Sequence, residues 1–85
     1  MPKVEIYTKA TCPYCNRAKM LLQQKGVALD EIGVDFGDEK KQEMIQRTGG
    51  RMTVPQIFIA GKHVGGCDDL FELESAGRLD EMLAA

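Results

Sequence analysis

Val4-Glu5-Ile6-Tyr7 alternates apolar and polar side chains in the manner of a short strand, and the stretch from Asn16 to Lys25 is rich in helix formers. Pro13 suits the first turn of that helix, where its missing N–H would have no intrahelical partner anyway. Gly26 is a natural stop, and Val27 to Val34 carries the β-branched and apolar residues of a second strand. Two strands joined through a helix predict a right-handed crossover with the strands parallel. Asp35 or Asp38 can cap a second helix running to Arg47, with Met44 and Ile45 on its buried side and Gly49-Gly50 at its end. Gln56 to Ala60 and Lys62 to Val64, around Ala60-Gly61, predict a hairpin that follows Val54-Pro55. Gly65-Gly66 gives way to Cys67-Asp68-Asp69, whose acidic residues suit the start of a third helix, Asp69 to Ala76. Gly77 separates that helix from a short apolar tail, Leu79 to Leu83. The order β-α-β-α-β-β-α is that of an α/β domain with a four-stranded mixed sheet flanked by helices.

A chain of 85 residues can bury one modest core, so a single domain spanning residues 1–85 is expected. Eleven basic and 13 acidic residues leave a formal net charge of −2, with no basic run or aromatic–basic interleaving of the kind nucleic acid selects. No apolar run approaches the roughly 20 residues of a membrane span, and the N-terminus has no secretory pattern. The expectation is a soluble, cytoplasmic monomer with no nucleic-acid or membrane partner. Three cysteines cannot form a complete disulfide framework, and in a reducing compartment a Cys-x-x-Cys pair is more often catalytic than structural.

That pair is Cys12-Pro13-Tyr14-Cys15, at the point where the first strand hands over to the first helix. Cys12 then falls at or just before the helix N-terminus, where unpaired N–H groups and the positive end of the helix dipole favour a thiolate. The thiolate is the nucleophilic form, so Cys12 is the candidate attacking sulfur. Cys15, one turn further in, is expected to be more buried and suited to resolving a mixed disulfide already formed on Cys12. Two plainer readings use the same residues. A zinc site could be assembled from Cys12, Cys15, His63 and Cys67, although structural zinc pairs usually occupy tight loops rather than opening a helix. An inert buried pair is the other, opposed by the electropositive, partly exposed setting that Lys9 and Arg17 would create.

Taken together, Tyr7-Thr8-Lys9 leading to Cys12-Pro13-Tyr14-Cys15, the Thr53-Val54-Pro55 segment and Gly65-Gly66-Cys67-Asp68-Asp69 resemble the dithiol glutaredoxins of the short bacterial type. The resemblance covers essentially the whole chain. It implies a thioredoxin-like fold and a glutathione-dependent thiol–disulfide oxidoreductase that reduces protein disulfides and glutathione mixed disulfides. Glutathione would be the co-substrate, with no permanently bound cofactor. Disulfide-containing or glutathionylated proteins would be the clients, ribonucleotide reductase among them.

The same resemblance implies roles at a glutathione site. Lys9 would meet the glycine carboxylate, with Arg51 a further cation in reach. Thr53 and Val54 would pair their backbone with the cysteinyl part as an added strand does, beside a Pro55 that is cis in the family. Gly66, Cys67 and Asp68 would meet the γ-glutamyl end, through N–H groups at the helix start and the Asp68 carboxylate. Tyr14 would lay its ring beside the ligand, and Cys67 would contribute its N–H rather than its sulfur. His63 is read as exposed and without a catalytic part. Two alternatives remain for the same chain. One is an electron carrier of this kind reduced by thioredoxin reductase, which would have no use for a tripeptide clamp. The other is an iron–sulfur module with Cys12 and glutathione as ligands, against which Pro13 counts because cluster-holding members mostly lack it.

Overall fold

A computed structural model describes residues 2–35 and 37–84, so Met1 and Ala85, the ends of the expected domain, lie outside the described residues. Eight elements follow one another: β1 (Val4–Thr8), α1 (Pro13–Gln24), β2 (Leu29–Gly33), α2 (Asp38–Arg47), β3 (Gln56–Ile59), β4 (Lys62–Gly65), α3 (Cys67–Ser75) and α4 (Leu79–Ala84). The strands form one sheet in the order β2-β1-β3-β4. The β1–β2 pair is parallel, as the βαβ pattern requires, and the other two pairs are antiparallel.

Alternation along β1 and β3 gives the sheet two apolar faces. Val4 and Ile6 of β1 join Ile57 and Ile59 of β3 in a core that Ala18, Leu21 and Leu22 of α1 and Leu70 of α3 complete. On the other face Tyr7 and Phe58 pack with Val34 and with Met44 of α2. Ile45, expected on the buried side of α2, is only half-buried. Arg47, at the end of α2, fastens that helix to the sheet. Its guanidinium forms two 3.0 Å bonds to the Glu5 carboxylate, donates to the Tyr7 hydroxyl at 2.9 Å, and lies 3.9 Å from the Phe58 ring centroid. The Tyr7 hydroxyl in turn donates to Glu43, one helical turn earlier.

The expected order of elements is extended by α4, because the apolar tail is helical. Leu79 and Leu83 are buried in the first core, and Lys25 at the end of α1 reaches Glu74 of α3 and Asp80 of α4, both at 2.9 Å. Two boundaries also shift by two residues from their expected places. β2 begins at Leu29, with Val27 buried in the core ahead of it, and α3 begins at Cys67 rather than Asp69. Neither Asp35 nor Asp38 caps α2 through its side chain. Asp35 instead accepts the Ala10 N–H at 3.0 Å, which ties down the loop leading to Cys12.

Candidate functional site

Pro13 is the first residue of α1 and Cys12 is its N-cap, in extended conformation. The Cys12 sulfur occupies the position a serine or aspartate oxygen usually takes, and it accepts the Cys15 N–H at 3.3 Å. On its other side Sγ lies 4.0 Å from the Val54 carbonyl oxygen, towards which the thiol proton is directed. Loss of that proton removes the second contact and strengthens the first, since a charged acceptor makes the stronger hydrogen bond. Cys12 is half-buried, whereas Cys15 is fully buried behind it. Burial, and after it the contact with Cys12, pushes the Cys15 thiol up to about 12. The two sulfurs therefore differ in access, and Cys15 holds its proton, although one helical turn holds both.

Beside Cys12 is a cavity of about 390 Å³ lined by Tyr14, Arg51, the Thr53–Pro55 segment and Gly66 to Asp69. Seven residues expected at a binding site meet there: Tyr14, Thr53, Val54, Pro55, Gly66, Cys67 and Asp68. The Val54–Pro55 peptide bond is cis. Tyr14 is 57 % exposed, a level at which its ring is available to a ligand rather than to the core. Lys9 stands apart from the rest. It is exposed and does not line the cavity. Arg51 is the cation that lines the cavity.

The α3 end of the cavity owes its shape to glycine. The Gly65 backbone has a φ of +122°, and a Cβ there would lie 2.2 Å from Asp69 Oδ2. That oxygen accepts the Gly66 N–H at 2.9 Å and lies 3.6 Å from the Arg51 guanidinium. The Gly66 N–H, expected to be free for a ligand, is thus already used. By helix geometry the donors left at this end are the N–H groups of the first turn, beginning with Cys67 and Asp68. Asp69, not Asp68, is the capping carboxylate, and Asp68 is exposed. Cys67 is buried, and burial pushes its thiol above the ordinary range.

His63 is exposed, as the sequence suggests, and its Nε2 lies 2.8 Å from Gln56 Oε1 with its ring 5.0 Å from that of Phe58. Burial first, then the charge of Arg51, holds its pKa below the ordinary value. Among the described residues, no three His, Cys, Asp or Glu side chains converge as a metal ion would need. The contacts of Gln56 with His63 and of Asp35 with the loop before Cys12 carried no signal in the sequence, whereas Asp69 takes the capping part its place at the helix start suggests.

Comparison with known proteins follows the same lines. The family model for glutaredoxin matches residues 4–64. Glutaredoxin 3 of Escherichia coli strain K12 is 58 % identical over 83 residues, which is 98 % of this chain and 99 % of that one. The crystal structure of a buckwheat glutaredoxin–glutathione complex superposes with a TM-score of 0.88 at 37 % identity, covering 98 % of this chain and 77 % of that one. The solution structure of a glutaredoxin from Brucella melitensis gives a TM-score of 0.84 at 53 % identity, covering 98 % and 89 %.

Proposed function

The chain belongs to the glutaredoxin family and is a glutathione-dependent thiol–disulfide oxidoreductase, and on that premise we propose that Cys12 is its nucleophile and Cys15 its resolving thiol. The observation that carries this reading is the contrast between the two sulfurs. Cys12 caps a helix with its sulfur 4.0 Å from the carbonyl oxygen of Val54, which lines the cavity, and Cys15 is sealed behind it with its proton held.

With a glutathione mixed disulfide, the Cys12 thiolate attacks the glutathione sulfur. A Cys12–glutathione disulfide forms, and the substrate leaves as a thiolate that takes up a proton. A second glutathione thiolate then attacks the glutathione sulfur of that adduct, giving oxidised glutathione and restoring Cys12. With a protein disulfide, Cys12 attacks one of its sulfurs. Cys15, after losing its proton, attacks Cys12, the protein leaves as a dithiol, and two glutathiones reduce the resulting Cys12–Cys15 disulfide.

For the glutathione itself we assign the cavity beside Cys12. The Thr53–Val54 backbone takes the cysteinyl part as an added strand, beside Pro55, and Tyr14 flanks it. The first-turn N–H groups of Cys67 and Asp68, beside Gly66, take the γ-glutamyl carboxylate, and the Asp68 carboxylate takes the amine. The glycine carboxylate goes to Arg51, with Lys9 a more distant cation, an order favoured by their positions relative to the cavity.

The reading extends to one domain, residues 1–85, working as a cytoplasmic monomer without a permanent cofactor. Its clients are glutathionylated and disulfide-containing proteins, ribonucleotide reductase being a candidate by family. Among the described residues no helix is long and apolar enough to cross a membrane. The test compares reduction of a glutathionylated peptide driven by glutathione with glutathione reductase against reduction driven by thioredoxin reductase. Turnover with the first and none with the second is the expected result, and the reverse pattern overturns the glutathione site.

A further inference from the structure

Gln56 opens β3 opposite Tyr7 in register, and its side chain is fully buried. A primary amide in such surroundings costs free energy unless both of its ends are matched. Here both are. Nε2 donates to the Thr53 carbonyl oxygen at 3.0 Å and to Thr53 Oγ1 at 3.2 Å, and Oε1 lies 2.8 Å from His63 Nε2.

The orientation of this amide is dictated by chemistry. A carbonyl oxygen can only accept, so the NH2 group must point to Thr53, and Oε1 is left to face His63. The imidazole must then carry a proton on Nε2 to donate to it. Stacking on Phe58, with the rings tilted by 32°, holds the imidazole plane. A chain of contacts thus runs from the edge strand β4 through His63 and Gln56 to Thr53. Among the described residues no other hydrogen bond reaches Thr53.

Thr53 is exposed, lies outside any strand, and lines the cavity two residues before Pro55. A segment of that kind would be free to turn its peptide plane unless something fixed it. We infer that Gln56, steadied by His63, is a positioning residue that fixes the Thr53 peptide so that the Thr53–Val54 edge is presented to the glutathionyl half of a mixed disulfide. The inference rests on the assignment of that edge to glutathione.

The experiment measures steady-state kinetics with a glutathionylated peptide, and separately the rate at which the reduced protein attacks an aromatic disulfide that contains no glutathione. The chains compared are the wild type, Gln56→Met, His63→Ala and the double variant. Gln56→Met keeps the length of the side chain but has no donor, and should raise KM for the glutathionylated peptide by about three- to tenfold, the worth of one hydrogen bond, with kcat little changed. The rate with the aromatic disulfide should stay at the wild-type level. His63→Ala should raise KM by less, and should add nothing in the Gln56→Met background because it acts through Gln56. Its exposed position on an edge strand keeps the test available if Gln56→Met fails to fold. Gln56→Glu keeps an acceptor for His63 and loses the donor to Thr53 at neutral pH, so its KM should rise as for Gln56→Met.

An unchanged KM in Gln56→Met, Gln56→Glu or His63→Ala overturns the relay, and so does a parallel fall in both reactions, which would mean general loosening. Wild-type protein that fails to use the glutathionylated peptide overturns the glutathione assignment itself, an outcome distinct from normal wild-type turnover with insensitive variants.

Discussion

The backbone N–H of Cys15 points at the sulfur of Cys12 from 3.3 Å, so the first turn of α1 is capped by the very atom proposed to do the chemistry. Serine is a good N-cap and alanine is not. Cys12→Ser should therefore abolish turnover of every substrate while leaving the melting temperature at or above that of the wild type. Cys12→Ala should abolish turnover and also lose about 0.5–2 kcal/mol of stability. Thermal melts of the two variants beside activity assays check this. Equal melting temperatures would mean that the sulfur contributes nothing as a cap.

Cys15→Ser should keep reduction of small glutathione mixed disulfides and lose reduction of protein disulfides. Only the second reaction needs a thiol behind Cys12, and the first is completed by glutathione from solution. Because burial holds the proton on Cys15, the resolving step should go on quickening as pH rises, whereas the glutathione-resolved step should level off once glutathione's own thiol, of pKa about 8.5, is ionised. Rates of release of a trapped Cys12–protein adduct, followed between neutral and alkaline pH, would reveal it. A pH-independent release would contradict the account.

Asp68 and Asp69 are neighbours with separable tasks. Asp68 is exposed and makes no hydrogen bond through its carboxylate among the described residues, while Asp69 holds the Gly66 N–H and lies near Arg51. Asp68→Ala should raise KM for glutathione by about ten- to a hundredfold, the worth of a charge-assisted hydrogen bond, with little change in melting temperature. Asp69→Ala should lower the melting temperature first, through a lost cap of about 1 kcal/mol. Kinetics and melts on both variants separate the roles. A wild-type KM in Asp68→Ala would remove that residue from the site.

Arg47 meets Glu5 with a two-pronged guanidinium contact that lysine cannot copy. Arg47→Lys should cost about 1.5–3 kcal/mol, the loss of charged hydrogen bonds together with the contact on Phe58. Arg47 holds the Glu5 carboxyl below its ordinary value of 4.5. The stabilisation is then complete above that value and is lost as pH falls through the folded-state pKa. Wild-type melting temperature should climb as pH rises through the acid range towards the ordinary carboxylate value, and Arg47→Lys should climb less. Parallel curves would show that the pair carries no linkage.

Much of this was legible in the chain because the signals were local. A proline beside a cysteine, an alternating strand and a glycine stop each act within one turn, and they located β1, α1 and the cysteine pair. The hairpin at Ala60-Gly61 belongs with them, both residues having positive φ. The rest depended on partners distant in sequence. α4 is too short to be helical on its own merits, and it is held by burial of Leu79 and Leu83 and by Lys25 from the far end of α1. Gln56 reads as an ordinary strand residue until His63 and Thr53 are seen on either side of it. Lys9, three residues before Cys12, looked like a ligand cation. Arg51, the second cation the resemblance offered, is the one that lines the cavity, a ranking no spacing rule could have made.

The strand order β2-β1-β3-β4 sets β1 at the middle of the sheet, between one partner from the first half of the chain and one from the second. Cys12 follows from β1, whereas the Thr53–Pro55 wall and the α3 end of the cavity arrive with β3 and β4. A chain emerging from the ribosome therefore possesses the Cys12–Cys15 pair well before it possesses the cavity proposed to receive glutathione. Until β3 inserts beside β1, the pair is bare dithiol chemistry without selectivity. Completion of the sheet is the event that turns a reactive thiol into a discriminating one.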